Sequence, residues 1–412
     1  MSPRLARELL VGAKMKRLAR ELQPELPEEV IIDEILTRLP IKSVVRFKSV
    51  SKSWLSLLSG SHFIQKHKTR SPMQNPIDYD CLVTNKKLHI SIVSRNQEIF
   101  LLPINAYSLI GSVNGLVCLL RHFKRLSLWN PAIHKSIEFN LPQNKQGGYS
   151  YPNLVGVSFD YVSNDYKVVV VYESCAYVYS SISSLWIPLC IPDLKFLVNK
   201  FEDIPTTYVK DCPYWTYSTY SSDNYMFVTC AGYCSYGTYP SVKNNFVKSL
   251  TALKFDATSN KFKLVTEFFP DARSNEHGKT FRFVNMRDVL TLMAHEPSPI
   301  GKLDVYSLDE GCGVWIKMYD LGPFERFRRF QFMQQGFKYG DEIVFLEYGK
   351  IYYYDHKTDT FKCLQGKNGS RFLNCFTYTP TMVSLQGMKS IYSDNQTRPL
   401  GDPMRLITSL KE

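Results

Sequence analysis

Cysteine and histidine are the residue types in this chain best suited to metal binding or nucleophilic chemistry, and their spacing argues against both. Of the ten cysteines, only Cys230 and Cys234 lie close together, and no second pair or nearby histidine completes a zinc ligand set. His62 and His67 are five positions apart in a helical segment, which misses the i, i+4 spacing of two ligands on one helix face. The sequence therefore predicts no metal ion.

Catalytic motifs are also missing from the sequence. It contains no Gly-x-Ser-x-Gly elbow, no phosphate-binding P-loop, no Gly-x-Gly-x-x-Gly opening a helix and no His-Glu-x-x-His pair. Its paired carboxylates, such as Asp341-Glu342, fall in turns or at helix starts, where solvation explains them. We therefore predict a non-enzymatic protein with no catalytic residue and no cofactor.

Composition and charge restrict the class of protein further. The chain has 412 residues, 44% hydrophobic and 21% charged, which is typical of a globular protein and excludes disorder as the main state. No stretch is long and apolar enough to span a membrane. The net charge of +12 suits an acidic partner. Nucleic acid is a weaker alternative, because no dense basic stripe with interleaved aromatic residues is present.

The first residues and the thiols favour a reducing compartment. The first 22 residues hold six Lys and Arg and no apolar segment, so we expect no secretory signal. The cysteines are then expected to be free thiols, and the protein to be cytoplasmic, nuclear or both. Residues 1–23 carry the repeat Arg-Leu-Ala-Arg-Glu-Leu twice, and we expect this basic arm to be a disordered extension.

Residues 24–70 contain the start and stop signals of several short helices, as expected for a small helical module. Leu26-Pro27-Glu28-Glu29 supplies proline and acid for a first helical turn, Pro40 ends that helix, and Ser51 is a good cap for a third helix. Three helices in so short a segment cannot bury all their apolar side chains among themselves. We therefore expect a partner to cover part of the surface.

This module resembles the F-box. The matching residues are Leu26-Pro27, Ile35-Leu36, Leu39-Pro40, Ser43-Val44, Arg46-Phe47-Lys48, Val50-Ser-Lys-Ser-Trp54, Phe63 and His67. The resemblance implies docking onto the small Skp-type adaptor of a cullin–RING ubiquitin ligase. It also implies an adaptor-binding face made of Leu26, Pro27, Ile35, Leu39, Pro40, Val44 and Val45.

From residue 78 to about 390 the pattern changes to short strands joined by polar turns. Five hairpins each carry an aromatic anchor, and the anchors are Trp129, Tyr179, Phe255, Tyr306 and Tyr354. They are separated by 50, 76, 51 and 48 positions. A period near 50 is typical of a kelch-type β-propeller, and 313 residues at that period give about six blades.

Three details of the propeller follow from the same pattern. The 76-residue step predicts an insertion, placed at Tyr208–Tyr239. The first strands, Cys81–Val93, and the last, Phe372–Leu385, are expected to share a closing blade. Mostly apolar runs predict inner strands buried on both faces. These runs are Gly115–Leu120, Tyr166–Val171, Asp288–Leu292 and Asp341–Leu346.

The strand region resembles the plant F-box-associated interaction domain of S-locus F-box and F-box/kelch-like proteins. The matching segments are Gly111-Ser-Val-Asn-Gly-Leu-Val-Cys118, Leu128-Trp-Asn-Pro131, Val157-Ser-Phe-Asp160, Asn164-Asp-Tyr-Lys-Val-Val169 and Phe255-Asp256. Asn114-Gly115 and Asn130-Pro131 are interpreted as turn residues. The fold class is thus a three-helix F-box followed by an all-β propeller of about six blades, with a tail at 391–412.

The function that these resemblances imply is that of a substrate receptor in an SCF-type ubiquitin ligase, with the propeller holding an unknown target protein. Candidate target-binding residues are Trp215, in the Tyr-rich insertion, and the basic residues Arg326, Arg328 and Arg329. The alternative for Trp215 is a core strand residue, and for the arginines a solvated turn. A propeller enzyme acting on a sugar or small metabolite, and a basic nucleic-acid-binding adaptor, remain alternative functions.

Overall fold

Helical hydrogen bonding ends at Gln74, and strand pairing begins at Cys81. In the computed structural model the chain divides into two compact units, Met1–Gln74 and Asn75–Glu412. The structure describes residues 30–74, 81–85, 89–93, 98–103, 107–121, 124–142, 152–190, 207–220, 247–270, 279–296, 301–309, 313–323, 331–332, 342–347, 350–364 and 375–391. The basic arm at 1–23 and all but the first residue of the 391–412 tail lie outside these ranges.

The helices of the first unit begin and end largely where the sequence predicts, with two differences. Its first segment consists of a π-helical turn, Ile31–Ile35, and a 3-10 turn, Leu36–Arg38. Three α-helices follow, α1 at Ile41–Phe47, α2 at Lys52–Ser59 and α3 at Ser61–Gln74. The predicted third helix is therefore two helices, because Gly60 takes an extended conformation that ends α2.

Local side-chain chemistry explains where these helices begin. Pro40 directly precedes α1. At the start of a helix the backbone N–H groups have no carbonyl acceptor within the helix, so the N–H that proline lacks is not missed there. The Ser51 hydroxyl accepts a hydrogen bond of 3.2 Å from the backbone N–H of Trp54, as expected for an N-cap. The Trp54 ring packs edge-on against Phe47, with centroids 5.6 Å apart, and so ties α2 to α1.

The strand unit is a propeller of six antiparallel sheets. Blade 1 contains β24 (Cys375–Tyr378), β1 (Cys81–Asn85), β2 (His89–Val93) and β3 (Glu98–Pro103). Blade 2 contains β4 (Tyr107–Val113), β5 (Leu116–Arg121), β6 (Arg125–Asn130) and β7 (Lys135–Asn140), with β25 (Lys389–Ser390) added outside β7. Blade 3 contains β8 (Leu154–Asp160), β9 (Asp165–Val171), β10 (Ala176–Ser180) and β11 (Leu185–Leu189).

The remaining blades repeat the same up-and-down order. Blade 4 contains β12 (Thr207–Val209), β13 (Cys212–Tyr220), β14 (Val247–Asp256) and β15 (Lys261–Phe268). Blade 5 contains β16 (Thr280–Met286), β17 (Val289–Glu296), β18 (Lys302–Asp309) and β19 (Val314–Leu321). Blade 6 contains β20 (Gln331–Phe332), β21 (Glu342–Glu347), β22 (Lys350–Asp355) and β23 (Thr360–Leu364).

The aromatic repeat correctly located the blades. All five anchors lie on the third strand of their blades, namely β6, β10, β14, β18 and β22. The prediction of a shared closing blade is confirmed, because β24 pairs antiparallel with β1, with Phe376 opposite Val83. Pairing the two ends of the propeller domain in one sheet leaves no open first blade.

The four runs predicted to be inner strands are the second strands of their blades, each lying between two partners. Three of them, β5, β9 and β17, are mostly buried, as predicted. One predicted detail was wrong. Residues Tyr208 to Tyr220, assigned to an insertion, form β12 and β13 of blade 4. The rest of the predicted insertion, 221–239, lies outside the described residues.

Tyr208 is the side chain on which the innermost strands converge. It lies on β12 and is 3% exposed. Its hydroxyl donates a 3.2 Å hydrogen bond to the carbonyl oxygen of Ile110 on β4, and lies 3.5 Å from the backbone N–H of Val157 on β8. Its ring packs edge-on against Phe376 of β24, with centroids 5.6 Å apart.

Gly111 and Asn285 lie next to Tyr208 and make its position possible. At Gly111 a Cβ atom would lie 2.3 Å from the Tyr208 ring, so only glycine allows the phenol to cross at that point. The Asn285 amide of β16 donates a 2.6 Å hydrogen bond to the Tyr208 carbonyl oxygen. Blades 1, 2, 3 and 5 thus all contact this one residue of blade 4.

We predict that Tyr208→Ala destabilises the propeller by about 3–5 kcal/mol, because it leaves a cavity among the innermost strands. Tyr208→Phe keeps the ring but leaves the Ile110 carbonyl oxygen without its partner, at a cost of about 1–3 kcal/mol. Tyr161→Phe, at an exposed phenol, is the control and should cost less than either variant. Denaturant unfolding of the full chain measures all three, and equal midpoints for the wild type and Tyr208→Ala would show that the ring is not structural.

A second prediction concerns closure of the propeller. Ending the chain after Gly387 removes β25 and its pairing with Lys135 and Ser136 of β7, which is a short outer ladder. Ending it before Arg371 removes β24 and opens blade 1. The shorter chain should show a lower thermal midpoint and more aggregation, whereas the chain that ends after Gly387 should stay close to wild type. Equal midpoints would contradict closure by β24.

Candidate functional site

The described part of the predicted adaptor-binding face is a partly exposed apolar surface. Ile35, at the end of the π-helical turn, is 41% exposed, although it is apolar. Leu39, Pro40 and Val45 are half-buried. Leu26 and Pro27 lie outside the described residues. An exposed isoleucine beside half-buried apolar neighbours is the kind of surface that a protein partner covers.

Val44 requires a correction. It lies on α1 and is 0% exposed, and Leu36, Ile41 and Leu58 of the same module are also buried. In this conformation Val44 offers no surface to a partner. The sequence could not separate Val44 from Val45, because neighbouring apolar residues on a short helix satisfy the same pattern.

A buried histidine fixes the Leu39–Pro40 segment. His67 of α3 is 1% exposed, and its Nε2 lies 2.8 Å from the Leu39 carbonyl oxygen. Burial lowers the pKa of His67, and the hydrogen bond to Leu39 opposes that effect only in part. The sequence identified His67 as a motif residue but gave no reason for a histidine at that position. The structure supplies one, because Pro40 interrupts the local helical bonding and leaves the Leu39 carbonyl oxygen to be satisfied from α3.

Two ion pairs hold the π-helical turn against α3. Lys66 contacts the Asp33 carboxylate at 2.7 Å, and Arg70 contacts the Glu34 carboxylate at 3.1 Å. The hydrogen bond from Lys66 lowers the pKa of Asp33, and the hydrogen bond from Arg70 lowers that of Glu34. These pairs lie at the partly exposed surface of the module, so they orient the turn carrying Ile35 more than they stabilise the fold.

The predicted target-binding residues of the propeller do not form one site. Trp215 lies on β13 at 0% exposure, against Gly156 and with its ring centroid 5.9 Å from that of Phe262. It is a core residue, and its assignment to target binding was wrong. Arg326, Arg328 and Arg329 lie outside the described residues, as does most of the Tyr-rich segment up to Tyr239. The assignment of the three arginines stays a prediction.

Asn130 of the Trp-Asn-Pro segment does more than form a turn. It is fully buried, and its amide donates hydrogen bonds of 3.0 and 2.7 Å to the carbonyl oxygens of Thr381 and Val383. These residues follow the closing strand β24. The nearby Tyr378 hydroxyl accepts a 3.2 Å hydrogen bond from the Ala132 N–H. Asn130 therefore fastens the end of the propeller domain to blade 2, a role that sequence spacing gave no means to detect.

Asp160 and Lys167 join blades 3 and 4. The Lys167 ammonium donates to the Ala257 carbonyl oxygen at 2.7 Å and lies 3.4 Å from the Asp160 carboxylate. Thr258 of blade 4 donates a 3.0 Å hydrogen bond to the same carboxylate. Burial alone would raise the pKa of Asp160, but hydrogen bonds from Ser163, Val162 and Thr258 outweigh it and hold that pKa well below its usual range.

The turns at one end of the propeller are tied together in the same way. Asn114-Gly115, between β4 and β5, has positive φ at both residues, as the predicted turn requires. The Asn114 N–H donates a 3.1 Å hydrogen bond to the Asp211 carboxylate, in the turn between β12 and β13. The exposed Tyr161 of blade 3 donates its hydroxyl proton to the other oxygen of that carboxylate. Turns of three blades thus meet at Asp211.

Within the described ranges, no group of three or more His, Cys, Asp or Glu side chains is placed to hold a metal ion. Cys230 and Cys234 lie outside those ranges. No described helix is both long enough and apolar enough to cross a membrane. The buried charged groups considered above are engaged in contacts between neighbouring elements.

Comparison with known proteins agrees with this arrangement. The F-box domain family matches residues 24–66. An F-box protein of Arabidopsis thaliana is 24% identical over 355 residues, covering 84% of this chain and 83% of the relative. An F-box/kelch-repeat protein of the same plant is 29% identical, covering 39% of this chain and 50% of the relative. Another Arabidopsis F-box protein is 32% identical, covering 39% of this chain and 42% of the relative.

The chain thus spans most of the first of these relatives and half or less of the other two. Among solved structures, a chain from a nidogen/laminin complex aligns with a TM-score of 0.38 and 8% identity, over 73% of this chain and 99% of that one. A likeness this weak adds nothing to the strand pairing already described.

The chain carries an F-box domain at residues 24–66, followed by a six-bladed propeller. It is similar to plant F-box and F-box/kelch-repeat proteins.

We predict that the F-box loses stability as the pH falls below about 6.5, the ordinary pKa of histidine. Because the folded state lowers the pKa of His67, the unfolded chain binds a proton more tightly than the folded one. The stability contributed by neutral His67 is therefore complete above pH 6.5 and is lost as the pH falls toward the lower pKa of the folded state.

Hydrogen exchange of the α3 amides, corrected for intrinsic rates, measures this effect in the full chain. His67→Gln keeps a hydrogen-bond donor for the Leu39 carbonyl oxygen and does not titrate, so it should flatten the pH dependence. The same slope in the wild type and in His67→Gln would assign the effect to another group.

Proposed function

We propose that this chain is the target-recognition subunit of an SCF-type, cullin–RING ubiquitin ligase. In this function the F-box binds a Skp-type adaptor and the propeller holds a target protein for ubiquitination and degradation. The observation that carries the proposal is an F-box at residues 24–66 joined in one chain to a closed propeller. F-box proteins generally serve as such receptors.

The F-box surface supports the first half of the proposal. Ile35 is exposed, and the backbone around it is held by ion pairs to α3 and by the hydrogen bond of His67. An apolar residue on a fixed backbone loses little conformational freedom when a partner covers it. This arrangement suits a permanent adaptor better than a transient one.

The mechanism is proximity, with no bond made or broken by this chain. Holding the adaptor at one unit and the target at the other raises the local concentration of target lysines near the ubiquitin-carrying enzyme.

We also propose a cytoplasmic location, a nuclear one, or both, since the chain carries free-thiol cysteines in its core, such as Cys81, Cys118 and Cys375. A fluorescent fusion expressed in plant cells tests this, and accumulation in the secretory pathway would contradict it.

We predict that Ile35→Glu reduces co-purification of the Skp-type adaptor at least about tenfold, because a buried charge replaces an apolar contact at the interface. Leu55→Glu is the matched control, since Leu55 is 49% exposed on α2 and lies outside the predicted face. Both variants should keep the wild-type thermal midpoint of the propeller.

Quantitative pull-down with purified adaptor measures the effect. Undiminished adaptor binding by Ile35→Glu, or an equal loss in both variants, would show that the face is placed wrongly. Absence of adaptor binding by the wild-type chain would contradict the proposed function itself.

A further inference from the structure

The turns at one end of blade 3 expose a group of apolar side chains. Tyr161 and Val162, in the turn between β8 and β9, are 60% and 83% exposed. Ile182 and Leu185, at the turn between β10 and β11, are 63% and 64% exposed. In an antiparallel four-stranded blade, the first and third turns lie at the same end. We refer to these four residues as the blade 3 platform.

The platform backbone is fixed by buried carboxylates. Asp160 accepts hydrogen bonds from the Val162 N–H at 3.0 Å and from the Ser163 hydroxyl at 2.6 Å. Asp165 accepts a hydrogen bond from the Ile182 N–H at 3.1 Å. Exposed apolar residues on well-bonded turns have little entropy left to lose on binding, which is the property of a docking surface rather than of a loose loop.

The Tyr161 ring is also held in place. Its hydroxyl donates to the Asp211 carboxylate of blade 4, and its ring lies edge-on to Phe159, with centroids 4.9 Å apart. The exposed ring is therefore held in one orientation. Tyrosine is one of the residue types that are enriched at the energetic centres of protein interfaces, together with tryptophan and arginine.

The charged side chains around the platform differ in how far they are exposed to solvent. Lys210, Lys261 and Arg287, on the neighbouring turns of blades 4 and 5, are exposed. The acids of the same turns lie deeper. Asp160 and Asp165 are buried, Asp211 and Asp288 are half-buried, and so is Asp256, which accepts hydrogen bonds from Thr258 and Ser259. At the platform and at these three turns a partner meets apolar side chains and cations first, whereas Asp309, in the β18–β19 turn of blade 5, is an exposed carboxylate at the same end.

Contacts between the turns show that these groups are neighbours. Thr258, three residues before Lys261, donates to Asp160 beneath the platform. Asp211, next to Lys210, accepts from Tyr161. The turn that carries Arg287 is joined to blade 4 through Asn285, which donates to the Tyr208 carbonyl oxygen and accepts a 2.9 Å hydrogen bond from the Asp288 N–H.

We propose that this end of blades 3 to 5 is the docking surface for a short acidic segment of the target protein, with an apolar side chain seated against Tyr161 and Val162. Carboxylates of the segment would pair with Lys210, Lys261 and Arg287. This inference rests on the proposed function for the identity of the partner as a target. The chemistry of the surface selects the segment, because the apolar centre needs an apolar anchor and the exposed cations favour carboxylates around it.

The test uses the purified full chain and short fluorescent peptides. One peptide carries a central Phe and Leu flanked by Glu, a second replaces every Glu by Lys, and a third replaces Phe and Leu by Ser. The acidic apolar peptide should bind at least about tenfold more tightly than the other two, and its affinity should fall with added salt. A single-stranded RNA is included to test the nucleic-acid alternative.

Matched variants locate the site. Val162→Asp and Lys210→Glu should each weaken binding of the acidic peptide about tenfold. Met318→Asp, at a 57% exposed methionine farther along the outer strand β19, and Lys357→Glu, at an exposed lysine of blade 6, are the controls and should bind as wild type. Val162→Ala, with its thermal midpoint measured alongside, guards against a folding defect and should weaken binding less than Val162→Asp.

Equal affinity for all three peptides, no peptide binding, or tighter binding of RNA would overturn the inference. So would unchanged affinity in Val162→Asp and Lys210→Glu, or the same loss in their controls. Because these measurements need no adaptor, their failure would leave the adaptor result standing, and failure of adaptor binding would leave the peptide result standing.

Discussion

The ring of Tyr208 is the contact on which the propeller depends most. It lies on the short innermost strand of blade 4 and reaches the innermost strands of blades 1, 2 and 3, while its backbone oxygen is held by blade 5. A phenol buried this deeply must have its hydroxyl satisfied, and the Ile110 carbonyl oxygen satisfies it. Gly111 is required for the same reason, since any side chain there would occupy the space of the ring.

Closure of the ring of blades is the second constraint. Blade 1 combines β24 from the end of the domain with β1 to β3 from its beginning, so the sheet forms only when the whole domain has folded. Asn130 then secures the residues after β24 through two hydrogen bonds from its buried amide. Contacts of such long sequence separation delay folding, but this pairing covers the edge of β1 that would otherwise be free to pair with another chain.

The F-box and the propeller expose apolar residues for different reasons. The F-box is too small to bury its own apolar residues and leaves Ile35 exposed on a backbone fixed from α3. The propeller buries a large core and exposes part of its apolar surface on turns, where hydrogen bonds to Asp160 and Asp165 and a hydrogen bond from Tyr161 fix the geometry. Each unit therefore presents a rigid surface, as the proposed receptor function requires.

The sequence by itself determined the two folds and their order. The helix boundaries at Pro40 and Ser51 depend on local backbone preferences. The aromatic repeat, which includes Trp129 and Tyr354, depends on the period of the strands. Both act over a few residues, so a sequence alone reveals them. Only the tertiary structure decided which apolar residues face outward.

Trp215 and Val44 are core, and Tyr161 and Val162 are surface, although all four satisfy the same apolar pattern. Likewise, Asn130 and Asn114 both fit turn sequences, and only the fold brings Asn130 to Thr381 and Asn114 to Asp211. Exposure and long-range hydrogen bonding depend on which blade lies next to which. That arrangement is a property of the closed ring of blades, and no short stretch of sequence encodes it.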